Sequence, residues 1–194
     1  MNVTKDTEKP NRQNAAFMHL MVLHWMMAAF IFLLYATGIL LVYPPPAALL
    51  DWLIPFLHQS LGILVLMLLI ARFFLLLRLI GSRYARRSPK VTAKWLQTTI
   101  LHGSLYFFML IAPVSGFFLR NFIGLDTTFF GIPVPFVFAP NERWVTLARS
   151  SHVWSSYIFL AFIFLHILAH WKMAWINVKK RFIYRMKTAS KKES

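Results

Sequence analysis

Seven histidines and no cysteine limit the metal chemistry open to this chain of 194 residues. Without thiols it forms no disulfide, thiolate metal site, iron–sulfur cluster or covalently attached c-type haem. Imidazole ligation remains, and the spacing of the imidazoles is informative. His152 and His166 lie fourteen residues apart in one apolar run, SHVWSSYIFLAFIFLHILAHW. At about 100° per residue, fourteen steps bring the second ring back to within roughly 40° of the first, with about 21 Å of rise between them. Two imidazoles at two depths on one helix face suggest two metal or haem sites, one above the other.

The elements that would position them are four apolar runs, Phe17–Val42, Leu53–Leu77, Thr98–Leu119 and Ser151–Ile176, in a chain that is 58% hydrophobic with a mean hydropathy of +0.58. Each is long enough to cross about 30 Å of hydrocarbon. The expected fold is all-α, one transmembrane four-helix bundle over residues 17–176. A flexible tail over 1–16 precedes it and a basic tail over 177–194 follows. The first run is too long for a signal peptide and lacks a cleavage region after it. The proline run Tyr43–Pro46 should end helix one, because proline lacks the amide proton and clashes with the preceding turn. The longest connection, from Arg120 to Arg149, reads as a compact cap at the membrane surface and not as a strand domain.

The net charge of +15 is distributed in a way that argues against nucleic acid. Lys and Arg crowd the N-terminal tail, the connection between helices two and three, and the segment after helix four. The other two connections carry Arg120, Arg143 and Arg149 against Asp51, Asp126 and Glu142, which cancel. An even number of spans puts both termini and the middle connection on one side, and the positive-inside rule makes that side cytoplasmic. Anionic lipid headgroups are sufficient partners for the charge.

Depth then pairs the histidines. His24 enters from the inner side and sits about two turns in; His58 is near the outer edge; His152 is outer and His166 inner. Matching depths couple His24 with His166 and His58 with His152, so each couple offers two axial ligands to one haem between facing helices. The fourteen-residue step recurs elsewhere. His24 leads to Gly38, His58 to Arg72, and His102 to Gly116. Glycine at the outer layer would let backbone approach a flat macrocycle, and Arg72 at the inner layer would meet a propionate. Each has a plainer reading. A lone histidine in an apolar helix is often hydrogen-bonded to a carbonyl, the glycines are common packing residues, and Arg72 can snorkel. His19 falls outside the register and reads as interfacial. His102 and His170 stay open between polar packing, a propionate contact and a quinone contact.

At LHW (His24), LHQSLGILVLMLLIAR (His58 to Arg72), LHGSLYFFMLIAPVSG (His102 to Gly116) and the His152–His166 step, the chain resembles the bacterial cytochrome b561 family of small four-helix membrane cytochromes. The resemblance covers nearly the whole chain. It implies two haems b held by those same four histidines, a multi-pass place in the bacterial inner membrane, and electron transfer between an outer donor and membrane quinone. It also implies an oxidoreductase of the superoxide:quinone type, with ubiquinone or another quinone as acceptor. Arg143 and Arg149 would then draw an anionic donor to the outer mouth, and His102, His170 and Lys172 are the candidates for quinone contact. One departure concerns the inner edge. A histidine pair often found in the family about two turns past the last ligand is replaced by Met173 and Ala174. Two competing functions follow from the same residues. One is a cytochrome b subunit that wires a hydrogenase- or formate-dehydrogenase-like redox partner to quinone. The other is a transporter that uses histidines for protons or metal without haem.

Overall fold

The computed structural model describes residues 8–44, 46, 48–84 and 91–190, with side chains over 17–44, 46, 50–81 and 91–171. Four helices, α1 (Glu8–Val42), α2 (Ala48–Tyr84), α3 (Ala93–Ile123) and α4 (Glu142–Ser190), are joined by short connections, with strands β1 (Thr127–Phe129) and β2 (Ile132–Val134) between α3 and α4. Every helix holds a stretch long and apolar enough to cross a membrane, Phe17–Val42, Leu50–Gly81, Ala93–Ile123 and Glu142–Trp171. The fold is therefore the four-helix transmembrane bundle that the apolar runs imply.

The helices outrun those apolar runs. α1 begins at Glu8, inside the stretch expected to be a flexible tail, and α4 begins at Glu142, inside the expected outer loop. Apolar content marks the part of a helix that crosses lipid. Once a helix is nucleated, each added residue gains a backbone hydrogen bond at little cost, so the helix continues to the next capping signal. Those signals are specific. Thr92 has extended backbone and its Oγ1 accepts from Trp95 N–H at 3.2 Å, which caps α3. Asn141 Oδ1 accepts from Arg143 N–H at 3.1 Å at the start of α4. α3 ends at Gly124, whose φ of 80° lies in the left-handed region, with Gly124 N–H donating to Asn121 and Leu125 N–H to Arg120.

Two helix pairs form the walls of the bundle. α1 packs on α2 and α3 on α4, while α2 and α3 meet along a narrower seam. Among the described residues, no Cα of α1 or α2 lies within 8 Å of one in α4. The described core is correspondingly thin: Met27, Ile54, Leu61, Val65, Leu69, Ala148 and Phe159 are its buried apolar side chains. One hydrogen bond spans the gap, from the Tyr35 hydroxyl to the Ser156 carbonyl at 2.7 Å.

The connection between α3 and α4 contains an antiparallel hairpin, pairing Thr127 with Val134 and Phe129 with Ile132. Its two turn residues, Phe130 (φ 48°) and Gly131 (φ 90°), both take positive φ, which matches the right-handed twist of the strands. Phenylalanine pays a steric cost there, and α2 supplies the support. The fully buried Ser60 Oγ accepts from Phe130 N–H at 3.1 Å, and Gln59 Nε2 donates to the Thr128 hydroxyl at 2.8 Å. Arg120 Nη2 donates to the Asp126 carbonyl on the same side. The end of the bundle that carries this hairpin is termed outer below, and the opposite end inner.

Candidate cofactor site

At the outer layer α2 and α4 bring His58 and His152 face to edge, with ring centroids 6.1 Å apart. Both rings are held by their Nδ1 atoms. His152 Nδ1 lies 2.7 Å from the Ala112 carbonyl on α3, and a carbonyl only accepts, so Nδ1 carries the proton. His58 Nδ1 lies 3.0 Å from Thr37 Oγ1. The single Thr37 hydroxyl proton is directed at the Leu33 carbonyl at 2.8 Å, so Thr37 accepts from His58. In each ring the Nε2 lone pair is thereby left available to a metal, the arrangement usual for ligating histidines.

The two glycines of the fourteen-residue register sit beside these rings. A Cβ at Gly116 would stand 2.9 Å from His152 Nδ1, closer than real contacts allow. A Cβ at Gly38 would stand 3.4 Å from His58 Cε1. Gly116 thus makes room for the His152 imidazole, while at Gly38 a methyl group would stand in van der Waals contact with His58.

At the inner layer His24 of α1 and His166 of α4 have centroids 6.1 Å apart, the same spacing as the outer pair. His166 Nδ1 is buried without a hydrogen-bond partner. His102 lies 5.1 Å from His166 and 5.6 Å from His170, and His170 lies 4.7 Å from His166, so three imidazoles crowd one wall. His102 Nδ1 is 2.7 Å from the Thr98 carbonyl and carries its proton for the same reason as His152. Arg72 is half-buried at this layer, its Nε donating to the Tyr106 hydroxyl at 2.9 Å and its guanidinium 6.0 Å from that ring.

Spacing tests whether a haem fits. An iron with one imidazole on each side at roughly 2 Å, plus roughly 1 Å from each nitrogen to its ring centre, sets the centroids about 6 Å apart. Both the His58–His152 and the His24–His166 pair meet this at 6.1 Å. The 5.1 Å and 4.7 Å contacts of His166 with His102 and His170 are too short to pass a macrocycle between the rings. The gap between the helix pairs and the partnerless His166 nitrogen fit the group as well.

The remaining sequence candidates are more scattered. His19 is exposed near the inner end, and Arg143 and Arg149 are exposed at the outer one. Lys172 lies outside the described side chains. Sequence reasoning missed Thr37, Tyr106, Gln59 and Ser60. Each had a signal: Thr37 precedes Gly38, Tyr106 is one turn past His102, and Gln59 and Ser60 follow His58 directly.

Apolar spans, a thin interior and facing imidazole pairs define a class, the membrane-embedded cytochromes of b type, in which haem is held by side chains alone. The particular family is prokaryotic cytochrome b561, which matches residues 18–188. The chain belongs to that family. No curated protein matched it. It is accordingly a multi-pass protein of the bacterial inner membrane and a haem b electron-transfer protein.

Proposed function

We propose that the chain holds two haems b, one between His58 and His152 and one between His24 and His166, and moves single electrons between an outer-side donor and membrane quinone. The observation that carries this reading is the repeated 6.1 Å spacing of two imidazole pairs at two depths. Haem held between the two histidines of each pair would supply one-electron chemistry and leave no ligand site for oxygen, which favours outer-sphere transfer.

The chain's own residues orient and insulate. Thr37 and the Ala112 carbonyl fix the outer ring tautomers, and Gly116 leaves the space that His152 occupies. Tyr35 ties α1 to α4 between the two layers. Arg72, held by Tyr106, offers a fixed positive charge to an inner propionate. At the outer end Arg143 and Arg149 attract an anionic donor such as superoxide, and Arg149 stands one turn before His152. Quinone contact falls to His102 and His170 beside the inner pair, with Lys172 as a third candidate.

The test is haem content per purified chain after replacing His24, His58, His152 and His166 singly by alanine. Losses should fall into two pairs, the same spectral component missing for His24 and His166, and the other for His58 and His152. Any other grouping would overturn the ligand assignment.

A further inference from the structure

The inner layer holds more imidazole than one iron uses. His102, His166 and His170 each offer a ring nitrogen, and all three nitrogens lie within 4.8 Å of one another. We propose that these three histidines form a site for one divalent transition-metal ion of the zinc, copper or nickel class, which competes with haem iron for His166. The competition rests on the His24–His166 pairing above; the three-histidine site does not.

Several features build the site. His166 and His170 are four residues apart and share a face of α4, the spacing by which helices present two imidazoles to one metal. His102 comes from α3, the helix packed most extensively on α4. Its Nδ1–H is bound by the Thr98 carbonyl at 2.7 Å, so its Nε2 is presented as the ligand atom with the outer support already in place. A tetrahedral ion at roughly 2 Å from each nitrogen needs them about 3.3 Å apart, so closure from the observed spacing takes small ring rotations. All three rings are half-buried and reachable.

The donor set selects the metal. Three neutral imidazoles with no carboxylate suit borderline ions and not calcium or magnesium. Arg72 at the same layer repels a second cation, so binding is weaker than in a closed structural zinc site. His166 is the shared member. With His102 and His170 gripping an ion, its ring is drawn towards α3 and away from His24, so metal occupancy and inner haem ligation oppose each other.

The test measures zinc bound by the haem-loaded chain in detergent, by equilibrium dialysis against zinc sulfate and elemental analysis. Wild type should bind about one zinc per chain, with affinity falling at least roughly tenfold in His102→Ala and His170→Ala. His24→Ala, which removes the rival partner of His166 and none of the three ligands, should bind zinc several-fold more tightly. Persistence of the outer haem in each variant reports a folded bundle. Equal affinity in wild type, His102→Ala and His170→Ala overturns the site, as does the absence of binding in both wild type and His24→Ala. Failure of the pairing looks different: His24→Ala keeps both haems and binds zinc like wild type, while the His102 and His170 losses persist and still support the three-histidine site.

Discussion

Gly116 and Gly38 stand in equivalent places by sequence, yet the distances separate them. A methyl group at Gly116 meets the His152 ring at 2.9 Å, whereas one at Gly38 meets His58 at 3.4 Å, a contact that a small shift relieves. Gly116→Ala should therefore displace His152 and cost about 1–3 kcal/mol, as overpacking does. Haem per chain should drop by one component in Gly116→Ala, and Gly38→Ala should retain nearly all of it. Thr37 supports the other outer ring. Thr37→Val leaves the His58 Nδ1–H buried without an acceptor, at about 1–3 kcal/mol, and should weaken outer haem retention roughly 10–100-fold. Thr37→Ser should restore it, because serine keeps the accepting oxygen. Haem release to apomyoglobin measures both, and retention equal to wild type in Thr37→Val would remove that role.

Among the elements, the hairpin is tied to the residues that follow His58. Ser60 has no exposed surface and accepts from the amide of Phe130, a residue held at positive φ. Ser60→Ala removes that acceptor and should loosen the 127–134 hairpin by about 1–2 kcal/mol. Proteolysis at the outer connection should accelerate while both haems remain. The physical reason is that His58 is oriented by Thr37 on α1 and not by the hairpin. Loss of the outer haem in Ser60→Ala would show that the hairpin also positions the ligand.

For the whole molecule, the proposed cytoplasmic termini and the proposed superoxide donor are both charge arguments. The absence of cysteine makes the first directly measurable. Single cysteines at Lys5 and at Phe138 should react with a membrane-impermeant thiol reagent from opposite sides, Phe138→Cys from the outer side. The reverse pattern would invert the assignment of outer and inner. Arg149→Gln should slow superoxide-driven haem reduction a few-fold at low salt, with the difference vanishing as salt screens the charge. An unchanged rate at low salt would remove Arg149 from donor capture.

Much of this architecture is legible in the residues. Hydropathy determines four spans because a bilayer admits backbone only as hydrogen-bonded helix or closed barrel. Helical periodicity predicts that His152 and His166 share a face, and the rings of His58 and His24 lie 6.1 Å from them at opposite ends of the bundle. Helix ends were less legible, since Thr92, Asn141 and Gly124 act through local backbone geometry that apolar content does not report. What only the tertiary structure decided is lateral. It brings His102 of α3 against His166 and His170 of α4, sets Tyr106 on Arg72, and seats the hairpin on Ser60. Sequence spacing fixes position along and around one helix. The rotation and distance of one helix against the next come from packing among many side chains at once, and no single spacing encodes them.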